Sequence, residues 1–264
     1  MPSAFYVSEG GRFVSTELTR GPWDPGAQHA GPPAALIARE LERCPSPAGG
    51  GPWQVGRITY EILRPVPIGT LEVSAEVVRP GRSVELLSAS LQSEGGEELV
   101  RASAWRLAER TVELEPGPAP AAASVPGPEA AQRKPFFDTD HELGYHAAME
   151  YRFVSGAFRE LGPATVWMRM RWPLVEDEEP TPLQRVLVAA DSGNGVSATL
   201  DWSAYVFINV DLTVHLHRLP AGEWVCLDAL TTPEPTGIGL ADTALRDEDG
   251  PIGRALQTLL VRER

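Results

Sequence analysis

The stretch TPLQRVLVAADSG, residues 181–193, decides how this chain folds. Leu183, Val186, Leu187 and Ala190 recur at three- and four-residue spacing, the period of a helix that buries one face. Thr181 is a good N-cap, and Pro182 suits the first helical position, where a backbone N–H has no partner in any case. Gly193 or Gly195 is expected to end the helix. Between the apolar stripe and these glycines stands Asp191, a carboxylate where a core helix stops. A second helix of the same kind is expected over 31–44, GPPAALIARELERC. Its Ala34, Leu36, Ile37, Leu41 and Cys44 fall mostly on one face, and Pro32 and Pro33 lie in its first turn.

Each helix precedes a block of short runs that alternate polar and apolar residues, the period of half-buried strands. The blocks cover 58–107 and 210–261, and they repeat. Pro67 and Gly69 correspond to Pro220 and Gly222, and Arg101-Ala102 to Arg254-Ala255, all at one offset. EGG at 94–96 and EDG at 248–250 are hairpin turns at equivalent places, and RPG at 79–81 separates two strands. One helix wrapped by a bent antiparallel sheet is the hotdog arrangement, and the repeat makes it a double hotdog, an α+β fold. The Pro- and Ala-rich segment 113–135 has no hydrophobic period and is expected to be an extended linker. It would separate an N-terminal hotdog, 1–112, from a C-terminal hotdog, 136–264. The segment HELGYHAAMEYRF, 141–153, is expected to lead into the first strand of the second half.

With 36 acidic and 23 basic residues the net charge is −13, which argues against nucleic acid and anionic membranes as main partners. No apolar run approaches the roughly 18 residues of a membrane span, and the N-terminus has no secretory pattern, so a cytoplasmic location is expected. Two cysteines, Cys44 and Cys226, make no disulfide framework. His215 and His217 lie on one side of a strand without a third ligand, and His141 and His146 are five apart rather than four. No metal site and no cofactor are therefore expected. EDEEP, 176–180, reads as a solvated acidic loop.

Three stretches carry a resemblance: AADSGNGV at the end of the second helix, FINVDLTVHLHR at 207–218, and GRALQTLLV at 253–261. With QHAGPPAALIARELE near the start of the first helix, they resemble the type II acyl-CoA thioesterases and the wider thioesterase-like double-hotdog proteins. The resemblance implies a hydrolase of acyl-CoA or acyl-carrier thioesters in fatty acid metabolism, possible assembly into homo-oligomers, and a site at Asp191, Asn209 and Gln257. Asn209 stands where the family pattern has Thr, and the glycine pair before the first helix is reduced to Ala30-Gly31.

The chemistry suits these residue types. A thioester carbonyl is already electrophilic, so the enzyme must aim a water and stabilise an oxyanion. A carboxylate can take the water's proton, worth about 10²–10⁴-fold in rate. Asp191, at a helix C-terminus, is expected to have a slightly raised pKa because the helix dipole is negative there. Asn209 and Gln257 would hold the water from two sides. The N–H near Gly31 could reach the oxyanion, and the carrier arm would enter near Arg64 or Arg218. His29 could contact substrate or, paired with Asp191, serve hydratase chemistry. Each residue also has a plain structural alternative: Asp191 as an exposed helix end, Asn209 on an exposed strand face, Gln257 on a sheet's outer side. Two other functions stay open, an enoyl-thioester hydratase or dehydratase and a non-catalytic acyl-CoA-binding protein.

Overall fold

A computed structural model describes residues 2–115 and 124–264. Its strands are β1 (Tyr6–Glu9), β2 (Arg12–Ser15), β3 (Trp53–Ile62), β4 (Thr70–Arg79), β5 (Val84–Ser93), β6 (Glu98–Ala108), β7 (Met149–Ser155), β8 (Ala164–Met170), β9 (Tyr205–Asn209), β10 (Asp211–Leu216), β11 (Val225–Pro233), β12 (Ile238–Asp247) and β13 (Gly250–Glu263). The helices are α1 (Gly31–Arg43), α2 (Tyr145–Ala148), α3 (Pro182–Ala190) and α4 (Gly193–Val196).

All the strands join one antiparallel sheet in the order β1-β2-β4-β5-β6-β3-β10-β13-β12-β11-β8-β7, with β9 paired to the far end of β13. The order shows the repeat directly. Each half contributes a preceding hairpin, a helix and four strands in the order second-third-fourth-first, and the halves meet where β3 pairs with β10, Thr59 opposite Thr213. The expected turns hold: RPG lies between β4 and β5, EGG between β5 and β6, and EDG between β12 and β13. α1 packs on β4 and β5, α3 on β8 and β11, and the two helices pack on each other. A single cluster of buried side chains, from Ile37 and Leu41 of α1 to Val186 and Leu187 of α3, runs through both halves. The chain is thus a double hotdog.

The two helices exchange carboxylates. Thr181 caps α3 as expected, in a capping box with Gln184. Thr181 Oγ1 and Gln184 Nε2 also donate to Glu42, in the last turn of α1 (2.9 and 3.2 Å). At the other end of the pair Asp191, the C-cap of α3, meets the start of α1. Anions at helix N-termini are favourably placed.

Several expectations change. Gly193 and Gly195 do not end α3 by a left-handed turn, since neither has positive φ. A Cβ on Gly193 would lie 2.3 Å from Thr243 Oγ1, so this glycine lets the chain pass close under β12. The acidic run 176–180 is not simply solvated: Glu178 receives Arg39 Nε (2.7 Å) and Arg43 Nη2 (2.8 Å), tying the loop to α1. Residues 116–123 of the segment read as a linker lie outside the described residues. The part that follows is docked on the second half: Trp167 Nε1 donates to Pro126 O (2.8 Å), and Gln132 and Phe153 exchange two backbone hydrogen bonds (2.9 and 2.7 Å). The hairpin β1–β2 carries no sequence signal strong enough to announce it, and its start bonds to the second half, Tyr6 N to Leu174 O (2.9 Å).

Gly31 marks the closest approach of the helices. A Cβ there would stand 2.3 Å from Val188 O of α3. Gly31→Ala is therefore expected to lower the unfolding free energy by about 1–3 kcal/mol, the usual range for overpacking. Gly95→Ala, whose nearest neighbour would be 3.7 Å away, serves as the control. Chemical denaturation midpoints measure both, and equal stability of the two variants would contradict the close crossing.

Candidate active site

The crossing of the helices, the end of β9 and the middle of β13 converge on Asp191, which is buried. Asn209, the last residue of β9, lies between the exposed Ile208 and Val210, so alternation along the strand turns it inward. Its Nδ2 donates to Asp191 Oδ1 (2.8 Å) and to Asp211 O (3.2 Å). Gln257 on β13 donates from Nε2 to both Asp191 O and Asp191 Oδ1 (3.1 Å each), and its Oε1 accepts from Asn194 N (3.0 Å). The three residues read from the sequence thus meet within hydrogen-bond distance.

The second oxygen of the carboxylate faces His29. Nδ1 of His29 lies 3.2 Å from Asp191 Oδ2 and accepts the Gly31 N–H (3.1 Å). The imidazole stacks on Tyr145, centroids 3.7 Å apart and planes 9° apart, which fixes its plane. Tyr145, at the start of α2, is itself fixed: its hydroxyl donates to Val188 O (2.6 Å) and lies 2.9 Å from Ser192 Oγ.

Burial sets the protonation of this group. Asp191 is pushed up from 3.8 to about 7 by desolvation, against the pull of Asn209, Gln257 and the backbone N–H groups of Ala30 and Gly31. The expected cause, the negative end of α3, is thus replaced by removal from water. Burial pushes His29 the other way, to about 3, so its imidazole is neutral at physiological pH. With Nδ1 accepting from Gly31, the ring proton belongs on Nε2, for which no protein acceptor exists among the described residues.

Asp191, His29, Asn209, Ser192 and Asn194 all line one cavity of about 430 Å³, a size in the range of small-molecule sites. Its other walls are mostly apolar, with Trp23, Phe136, Phe137, Tyr151 and Phe158 prominent. Arg64 stands at the cavity too, paired with Glu97 (2.9 Å).

Three expected roles change. Gln257 is buried and does not line the cavity, so it holds Asp191 and cannot hold a water on the open side. The Gly31 N–H is taken up by His29 and the Asp191 carboxylate and is not free for a ligand. Arg218 is outside the cavity. Its guanidinium is locked on buried Asp247 (2.5 Å) and on the carbonyls of Gly250 and Pro251. Tyr145 and the aromatic wall come from segments that meet Asp191 only in the folded chain, while Ser192 and Asn194 stand beside it in sequence but carry no pattern that marks them as cavity-lining. Among the described residues no three His, Cys, Asp or Glu side chains gather as metal ligands. No helix there is long and apolar enough to cross a membrane.

The comparisons with known proteins give the family and the fold. Residues 128–261 match the acyl-CoA thioesterase C-terminal domain and residues 19–107 the acyl-CoA thioesterase N-terminal domain. Among curated proteins none matches the chain in sequence. A protein of Thermobifida fusca YX provisionally described as a thioesterase II has a similar structure, with a TM-score of 0.73 and 20% identity over 98% of this chain and 96% of that one. A hot dog fold protein of Alicyclobacillus acidocaldarius gives 0.72 at 17% identity over 98% and 95%. An acyl-CoA thioesterase II of Mycobacterium marinum gives 0.61 at 15% over 97% and 93%. At such identities these likenesses establish the fold. The family assignment rests on the domain matches: the C-terminal one covers just over half of the chain and the N-terminal one most of the remainder, and the chain belongs to the acyl-CoA thioesterase family.

Proposed function

We propose that the protein hydrolyses the thioester of an acyl group carried by coenzyme A or an acyl carrier, by direct attack of water, as a cytoplasmic enzyme of fatty acid metabolism. The observation that carries this reading is a buried carboxyl group with a pKa of about 7 in the wall of an apolar cavity, held from behind by two carboxamides. A base of that pKa is half ionised near neutrality and still strong enough to accept a proton from water in the transition state.

In this mechanism ionised Asp191 takes one proton of the water as its oxygen bonds to the carbonyl carbon. Among the described residues no donor reaches Asn209 Oδ1, and that oxygen accepts the water's other proton and sets its direction. The electron pair of the C=O bond moves onto oxygen, and the His29 Nε2–H donates to the oxyanion. Protonated Asp191 meanwhile finds an acceptor in His29 Nδ1. Collapse re-forms the C=O bond and breaks the C–S bond, and Asp191 returns its proton to the leaving thiolate. The products are a carboxylic acid and a thiol. Gln257 never touches the substrate. It acts as a positioning residue whose donor holds Asp191 Oδ1 and lowers the carboxyl pKa.

The contact between His29 and Asp191 favours one second reading, addition of water to an enoyl thioester, in which the same pair would handle both protons. Crotonyl-CoA separates the two readings. Hydration gives loss of the enoyl absorbance with no thiol released, whereas hydrolysis releases thiol.

For hydrolysis, kcat/KM across an acyl-CoA panel is expected to rise through a single ionisation near pH 7 and to level off above it. Asp191→Asn should lower kcat by about 10²–10⁴-fold. Gln257→Ala should move the midpoint to higher pH, because a donor to the charged form is lost. A profile flat from pH 6 to 8, or equal rates for wild type and Asp191→Asn, would remove the assignment.

The same shift has a consequence for stability. Folded Asp191 keeps its proton up to about pH 7, while the unfolded chain releases it near 3.8. The folded state therefore binds the extra proton between these values, and stability from this group falls as pH rises through that window and is level above it. Asn at this position keeps the acceptor for Asn209 and Gln257 without the charge, and gives up one oxygen beside the Ala30 and Gly31 N–H groups, a smaller loss than the burial of an ionised carboxylate. Asp191→Asn is expected to raise the unfolding free energy at pH 8 by about 1 kcal/mol or more, with the gain gone by pH 4. A variant less stable than wild type at pH 8 would contradict the burial of an ionised group.

A further inference from the structure

The cavity that Asp191 faces has two unlike ends. One is open: Trp23, Leu63, Ile208 and Val210 are exposed there and Arg64 reaches solvent. The other is closed by aromatic rings that pack on one another. Phe136 meets Phe158 edge to face (centroids 4.4 Å), Phe158 meets Tyr151 in the same way (4.9 Å), and behind them Phe153 backs Phe158 (5.0 Å). Tyr151, Phe153 and Phe158 are buried members of the core, and Phe153, behind Phe158, does not line the cavity, so the cavity ends at this layer of rings. The side wall is backed in the same way: Phe137 stacks on Trp23 (5.1 Å, 22°), and behind the lining Trp23 stacks on Trp202 (4.1 Å, 25°) and Trp202 on Phe207 (3.9 Å, 29°). Each wall ring thus packs on a neighbouring ring, which limits the orientations open to it.

The carrier arm of a thioester is long and polar and must leave by the open end. The acyl group then points at the closed one. A flexible long alkyl chain gains from a deep, adaptable tunnel. A short, blunt space walled by ring faces and edges instead rewards a flat group that can stack on one face and meet another edge. We infer that the preferred acyl group is compact and ring-bearing, an arylacyl thioester of the phenylacetyl kind, and that Phe136, Phe158 and Tyr151 set this preference. The inference rests on the thioesterase reading for its reaction but not for its binding.

The test compares phenylacetyl-CoA, hexanoyl-CoA and palmitoyl-CoA with the full-length protein. The expected result is a kcat/KM for phenylacetyl-CoA about three- to tenfold above hexanoyl-CoA, the amount one or two ring contacts supply, with palmitoyl-CoA lowest. Phe136→Leu and Phe158→Leu should each lower the phenylacetyl-to-hexanoyl ratio. A wild-type preference for hexanoyl-CoA or palmitoyl-CoA overturns the inference, as does a ratio that neither variant moves, and in that case hydrolysis itself still stands. If no ester is cleaved, the same three are compared by calorimetry. Tighter binding of phenylacetyl-CoA supports the arylacyl site although the hydrolytic reading has failed, and equal or tighter binding of palmitoyl-CoA overturns it.

Discussion

A carboxylate removed from water is what the rest of this structure is arranged around. Asp191 caps α3 at the point where α1 begins, and its two oxygens divide their partners. Oδ1 takes the carboxamides of Asn209 and Gln257, and Oδ2 faces His29. These donors lower the pKa, yet burial outweighs them and the group stays near neutrality. Glu42 at the other end of the helix pair shows a similar opposition: burial raises its pKa, while Thr181 and Gln184 hold it down. That end, however, is a polar contact between helices, and Glu42 is not in the wall of the cavity that Asp191 lines. One arrangement, a carboxylate exchanged between antiparallel helices, thus serves as a joint at one end and as a candidate reactive group at the other.

The sheet explains why the partners arrive together. Pairing of β3 with β10 fuses the halves into one surface, and β13 runs beside both β10 and β12 before reaching β9. Leu259 of β13 lies opposite Asn209, two residues along from Gln257, so the two carboxamides occupy neighbouring strands. The short α4 then carries Asn194 over Gln257, which is possible because Gly193 has no side chain to meet Thr243. Rigidity in the donors follows from regular structure, since strands hold both carboxamides and a stacked tyrosine holds the imidazole.

Much of this is legible in the sequence, and the reasons are physical. The stripe of α3, its Thr181 cap and the turn triplets at 79–81, 94–96 and 248–250 are local signals, and local energetics carries them into the fold. Alternation puts Asn209 on the face opposite Ile208 and Val210, but two apolar neighbours suggest that they face inward, and only the folded chain, in which both are exposed, turns Asn209 toward Asp191. What the sequence does not reveal is set by approach between distant segments. Gly193 and Gly31 read as a helix stop and a free N–H donor, but both are places where another element passes within a side chain's width. The direction of the Gln257 carboxamide depends on a backbone N–H of α4. The raised pKa of Asp191 comes from the closing of two halves, not from its own helix. Phe136 and Phe137 stand just after a Pro- and Ala-rich segment, where no period marks them as a wall.

The most direct measurement is the titration of the Asp191 carboxyl carbon, followed by ¹³C NMR of protein labelled at aspartate and assigned with Asp191→Asn. The expected midpoint is near 7. A midpoint near 3.8, that of a solvated aspartate, would mean that water reaches the carboxylate freely and that nothing in the fold prepares it to act as a base.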